Sequence, residues 1–269
     1  MRRLIIIALT IFTGIVFSND AFAIDKPKSK VQKESLQYNI FYHKSFIWMK
    51  AGRGSLLYNE EKMANGSTIM HGSIRARSLS IVETFFTVRD TIDTWFTPEY
   101  IPVEFSKITN EGSYKAKESY KYKMDFKGAE KTIQNVDSTM IDGEKWRKSS
   151  GTEKIQERQK GLVYDMFSIF YLVRSLNYET MKVGTVKRFP IFEGSKYRVV
   201  RMTYKGIGES KLRGGGKVSG YQIDLAFDVN GEDSVPMNVW LSNDKAHTPL
   251  MMIIHLKRVG SIQCEIAND

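Results

Sequence analysis

The side chains able to do chemistry are few and scattered. The histidines, His43, His71, His247 and His255, show neither the i, i+4 helical pair nor the close Cys/His spacing with which proteins hold zinc. Cys264 is the only cysteine, so neither an intrachain disulfide nor a lipid-modified N-terminal cysteine is expected. No Gly-x-Ser-x-Gly elbow is present, and Ser242-Asn243-Asp244 lies between two apolar runs, as a hairpin turn would. Gly214-Gly215-Gly216 lacks the spacing and helix of a phosphate loop and reads as a flexible hairpin tip. One carboxylate stands out. In the strand pattern Thr87 to Phe96, Asp90 alternates with Val88 and Ile92 and so faces the apolar side, where it must be paired or protonated. Arg75, Arg77 and Arg174 are its candidate partners; Asp93 and Trp95 take the other face. No catalytic residue, metal ligand or cofactor emerges, and the chain is not expected to be an enzyme.

The element that must organise the rest is the run from Leu162 to Leu176. Leu162, Met166, Ile169, Phe170, Val173 and Leu176 recur at the spacing of one helical face, and Phe167 and Leu172 widen it. The spacing predicts a central helix over 162–176 with Asp165 accepting from the Ser168 amide at its start and Arg174 at its negative pole. A helix this apolar must be wrapped by other structure.

Almost everything else has strand patterning. The runs Leu36 to Tyr42, Phe46 to Tyr58, Thr68 to Ser80, Val103 to Asn110 and Tyr114 to Phe126 are separated by turn residues such as Asn65-Gly66 and Thr97-Pro98-Glu99. The last run is clearest: Tyr114, Ala116, Tyr120, Tyr122, Met124 and Phe126 share one face, while Lys115, Lys117, Lys121, Lys123 and Asp125 share the other. A less regular pair is expected at Thr132 to Met140 and Glu144 to Lys148 around the turn-like Ile141-Asp142-Gly143. Ser149 to Lys160 is polar and aperiodic and reads as a linker. Six further strands follow Gly184. The expected fold is mainly β: an antiparallel meander forming a curved or two-part, half-barrel-like sheet packed around one central helix. Residues 35–269 would form one β-rich domain in two halves, 35–160 and 177–269, joined by that helix.

The first 23 residues predict export. Met1-Arg2-Arg3, the apolar run Leu4 to Phe17 and Ala21-Phe22-Ala23 make a signal peptide cleaved after Ala23, leaving the chain in the periplasm. The rival, a membrane anchor, needs roughly 20 apolar residues. Residues 24–34 read as a flexible lead-in. The chain of 269 residues carries a formal charge of +10, spread over single lysines on strand faces, as on the wet side of a soluble sheet. Peripheral contact with a membrane is compatible with that charge, whereas nucleic acid is not an expected partner. The Tyr114 to Phe126 aromatics and lysines lie on opposite faces and offer no single surface for stacking and phosphate contact.

The order of signals resembles a family. Lys50-Ala51-Gly52, then Asp90-Thr91-Ile92-Asp93-Thr94-Trp95-Phe96 with Pro98 and Pro102, Glu111-Gly112, Asp165-x-x-Ser168-x-x-Tyr171-x-x-Arg174, Val239-Trp240-Leu241-Ser242-Asn243-Asp244 and Thr248-Pro249 are similar to the bacterial exported proteins grouped as domain of unknown function family 3108. The likeness covers roughly residues 36 to 266. It implies an antiparallel β protein of the periplasm or outer-membrane face and brings no catalytic residues.

Two functions remain open. The first is a non-enzymatic carrier or binding protein for a hydrophobic or lipid-like envelope ligand, with Phe167, Phe170, Trp95, Arg174 and Asp90 as candidate ligand contacts. The second is a structural or assembly factor of the cell envelope that binds glycan or protein on an exposed sheet surface near Trp95 and Trp240. An empty apolar tunnel beside Phe167 and Phe170 would favour the first, and a packed core with exposed aromatics the second.

Overall fold

The computed structural model describes residues 33–194, 196–229, 232–256 and 260–267. The expected signal peptide, and all of the lead-in except its last two residues, lie outside the described residues. Among the described residues, fifteen strands form one sheet. In chain order they are β1 (Glu34–Lys44), β2 (Ile47–Lys62), β3 (Thr68–Ser78), β4 (Arg89–Phe96), β5 (Pro102–Glu111), β6 (Tyr114–Phe126), β7 (Val136–Arg147), β8 (Gly151–Lys160), β9 (Tyr164–Asp165), β10 (Val186–Phe192), β11 (Tyr197–Lys211), β12 (Lys217–Val229), β13 (Glu232–Leu241), β14 (Pro249–Leu256) and β15 (Gly260–Ile266). A four-residue helix, α1 (Ser80–Glu83), makes the corner between β3 and β4, and a seven-residue helix, α2 (Ser168–Arg174), follows β9.

The spatial order is β8 through β1, then β15 back through β9. Every neighbour is an antiparallel hairpin partner except two: β1 pairs with β15, and β9 lies parallel to β10. The sheet is therefore continuous, not two-part, and β1 and β15 join its halves.

The sheet is strongly curled. Strands β4 and β9 stand ten places apart in the order, roughly 48 Å in a flat sheet. Yet the Thr94 hydroxyl on β4 donates to the Asp165 carboxylate on β9 at 2.8 Å. Tyr120 on β6 likewise meets Phe192 on β10 edge-on at 5.3 Å and donates to the Gly194 carbonyl. The two edge strands, β8 and β9, are linked only by Gly161, Leu162 and Val163, a reach of at most about 14 Å. Thr139 closes that seam, donating to the Gly161 carbonyl at 2.7 Å and accepting from the Val163 amide at 3.1 Å.

Alternation decides which face turns inward. On β6, Ala116, Tyr120 and Tyr122 are buried while Lys115, Lys117, Lys121 and Lys123 are exposed, as the sequence pattern requires. The inward faces of β1 to β8 and β10 to β13 contribute to one apolar cluster with Val163, Tyr164, Phe167, Ile169, Tyr171 and Leu172. On the outside, the β11–β12 hairpin tip covers a smaller cluster of Val218, Trp240 and Met251. This tip, Gly214 to Gly216, is not free. The buried Glu265 carboxylate accepts from the amides of Arg213 and Gly214.

Four expectations are corrected. The helix spans 168–174 and not 162–176, because Leu162 to Asp165 are used as the crossing to the opposite edge of the sheet. The aperiodic 149–160 stretch is strand β8: at the edge of a sheet both faces meet water, so only Ile155 is buried and no alternation is required. Ile141-Asp142-Gly143 is not a turn but the middle of β7. Glu34 is not lead-in but the first residue of β1.

Candidate functional site

Below α2 the chain makes a polar knot inside the curled sheet. The buried Asp165 side chain accepts from the Phe167 and Ser168 amides, each at 2.7 Å, and from Thr94. The Ser168 contact is the one expected from sequence. Burial pushes the Asp165 carboxyl up, and these donors oppose the shift. Phe167 is 3 % exposed and packs on Phe170 and Tyr171. Tyr171 is fully buried; its hydroxyl donates to the Leu57 carbonyl at 3.0 Å, and its ring lies over Gly72 of β3. A Cβ at Gly72 would stand 2.3 Å from that ring, so only glycine fits.

Arg174 is fully buried and is held from several sides. Its guanidinium donates to both oxygens of Glu34 at 2.5 and 2.9 Å and to the carbonyls of His247 and Ala246, with the Phe170 and Tyr171 rings 5.8 and 5.6 Å away. A bidentate carboxylate and two carbonyls take four of the five guanidinium N–H donors. Its partner is thus Glu34 and not Asp90.

Asp90 is half-buried and is met by a backbone amide and a second carboxyl. It accepts from the Asn110 amide at 2.8 Å and shares a hydrogen bond with buried Glu111. Burial first, and the neighbouring Asp90 second, push the Glu111 carboxyl up to about 8. None of Arg75, Arg77 and Arg174 is a hydrogen-bond or ion-pair partner of Asp90. Trp95 is on the outer face, stacked on His71 at 4.5 Å, and His71 contacts Glu61 and Asp93 through its two ring nitrogens. Trp240 is not an exposed aromatic; it is 7 % exposed beneath the β11–β12 tip. The structure therefore brings Phe167, Phe170 and Arg174 together around α2 and separates them from Asp90 and Trp95.

The open space lies elsewhere. A cleft of about 440 Å³ opens at the end of the sheet where the β2–β3, β4–β5 and β6–β7 connections meet. Met63, Ile69, Ile101, Pro102, Val103, Met124 and Phe126 make it largely apolar, with Thr97, Glu99 and Lys131 adding polar groups. Tyr122 also lines it, and its buried hydroxyl has no hydrogen-bond partner. Burial pushes that phenol well above its ordinary range, so it stays a neutral hydroxyl. Sequence reasoning placed Tyr122, Met124 and Phe126 correctly on the inward face but read them as core. The overlooked signal was the double-proline connection Thr97-Pro98-Glu99-Tyr100-Ile101-Pro102, in which Pro98 lies in the turn and Pro102 can stand only at the very start of β5.

A family model described as "Protein of unknown function (DUF3108)" matches residues 37–266. The chain belongs to the DUF3108 family. No curated protein matches it by sequence. Among solved structures, the DUF3108 chain is similar to the crystal structure of a beta-barrel-like protein of domain of unknown function DUF1849 from Brucella abortus. The likeness has a TM-score of 0.54 at 7% identity and covers 89% of this chain and 98% of that one. At that identity the likeness concerns the fold, and it agrees with a sheet curled almost onto itself.

Proposed function

We propose that this DUF3108 chain is a non-enzymatic binding or carrier protein for a hydrophobic or lipid-like ligand of the cell envelope. It would act in the periplasm after removal of residues 1–23, with the sheet curled as a half-barrel about α2 as its plug. The observation that carries this reading is the cleft. Its volume of about 440 Å³ falls in the range of about 300–1,000 Å³ usual for ligand sites, and apolar walls with few polar groups are what such sites present. Met63 and Met124 give walls that adapt to a flexible chain. Tyr122 would offer a hydroxyl at depth to a ligand carbonyl or carboxyl, and Lys131 a cation for an acidic head. The ligand site is thereby moved from Phe167 and Phe170, which pack against each other beside Tyr171, to the end of β5 and β6.

The assembly-factor reading keeps one support, the Trp95–His71 stack on the outer face. Trp240 no longer contributes to it.

Titration of the purified chain with a fluorescent fatty acid tests the proposal. Saturable binding is expected, together with at least tenfold weakening in Met124→Trp, which fills the cleft, while the far-ultraviolet spectrum and melting are retained. Val103→Trp on the neighbouring strand provides the same test should the first variant be unstable. Saturable binding unchanged in a folded variant, or no binding by the wild type, contradicts the cleft.

A further inference from the structure

The opposite end of the sheet carries a different surface. In the register of β2, β3 and β4, Arg53 stands across from Arg77, and Arg77 across from Arg89. Directly opposed residues have Cβ atoms about 4.5–5.5 Å apart, and like charges there are destabilising. All three arginines are exposed, and Arg75, two residues along the same face, is exposed beside them. Glu83 of α1 pairs with Arg89 at 2.9 Å, and its charge also reaches Arg77. Among the described residues, Arg53 and Arg75 have no ion pair. A row of cations held in register by the ladder, with the nearby carboxylates Glu83 and Asp93 already engaged by Arg89 and His71, is a surface shaped for closely spaced anions.

Apolar side chains project from the same end. Phe46 is 88% exposed and Ile47 52% in the β1–β2 tip, while Ile81 is 72% exposed and Phe85 89% in the β3–β4 corner. The corner begins two residues after Arg77 and ends before Arg89. Because Gly52 pairs with Ser78, the tip at Phe46 overhangs the corner by roughly 20 Å along the strand. Lys44 and Lys50 flank it, both exposed. Single exposed apolar residues are ordinary on a protein surface. Aromatic and aliphatic residues at two tips on the same end of the strands, flanked by cations, are the composition of an interfacial membrane contact.

We infer that this end of β1–β4 docks on an anionic lipid surface: Phe46, Ile47, Ile81 and Phe85 enter the headgroup layer, and Arg53, Arg75, Arg77 and Arg89 take lipid phosphates. The docking surface is independent of the cleft, which opens at the far end of the same strands. Each half therefore stands or falls alone.

Co-sedimentation with vesicles tests it. The chain is expected to sediment with phosphatidylglycerol-containing phosphatidylcholine vesicles, not with phosphatidylcholine alone, and to be released by salt. Arg53→Gln and Arg77→Gln should each weaken binding about fivefold, as removal of one cation near an anionic surface does. Phe46→Ser with Phe85→Ser should also weaken it, and the binding that remains should still be released by salt. Met124→Trp should bind vesicles normally. Equal binding to neutral vesicles, unchanged binding in folded arginine variants, or complete displacement by millimolar inorganic phosphate, which marks a soluble-phosphate site, would each overturn the inference.

Discussion

At the residue scale, the most informative pair is Asp90 and Glu111. Two carboxyls cannot both ionise in a buried contact, and holding one proton between them turns a desolvation problem into a hydrogen bond. The consequence is a pH dependence of definite sign. The folded-state value of Glu111, about 8, lies above its ordinary value of 4.5. The folded chain therefore binds more protons than the unfolded chain between those limits. The stability tied to this carboxyl is fully present below about pH 4.5 and is lost as the pH rises to about 8. Glu111→Gln keeps a donor toward Asp90 and cannot ionise. Urea unfolding across pH 5–8 should show a falling stability for the wild type and a shallower fall for Glu111→Gln; parallel curves would contradict the shared proton. Glu193, which burial pushes up to about 7 against the pull of Arg198, contributes to the slope in both proteins. The difference between the two curves is thus the quantity to read.

At the scale of elements, α2 is too short to be stable alone, since an isolated helix below about 12 residues is marginal in water. It stands because its side chains are committed to strands: Tyr171 to Gly72 and Leu57, and Arg174 to Glu34. Gly72→Ala should lower stability by about 1–3 kcal/mol through overpacking against the Tyr171 ring. The same change in a Tyr171→Leu background should cost less, and equal costs in the two backgrounds would deny the contact. The strands were legible in the sequence wherever one face is buried, as on β6, because period-two alternation reports that asymmetry directly. They were illegible where it fails. Edge strand β8 has only Ile155 to bury. In β7 a glycine taken for a turn is instead a close approach, since a Cβ at Gly143 would lie 2.0 Å from the Ser119 carbonyl and 2.8 Å from the Tyr120 ring. The helix was legible in type but not in length, because apolar residues at 162–164 satisfy a helical stripe and a buried crossing equally well. Of the candidate site, the sequence placed Asp90 on the inward face and Trp95 on the outward one. It could not show that Arg174 pairs with Glu34, 140 residues away, nor that the open space lies over the Pro98 and Pro102 connection.

For the whole molecule, curling is what allows one sheet of fifteen strands to bury a core without a second layer. Thr94–Asp165, Tyr120–Gly194 and the Thr139 seam draw the far halves together through side chains rather than through a backbone ladder. An arrangement of this kind has two unlike ends. One bears the apolar cleft at the β2–β3, β4–β5 and β6–β7 connections, and the other bears the arginine row and the apolar tips. Among the described residues no helix is long and apolar enough to cross a membrane. The measurement that bears most directly on the proposal is native mass spectrometry of the chain purified without detergent from the cells that make it, followed by organic extraction. The account predicts a discrete added mass that is recovered as lipid from the wild type and is missing from Met124→Trp. A bare chain mass for the wild type, or the same adduct on the filled variant, would contradict it.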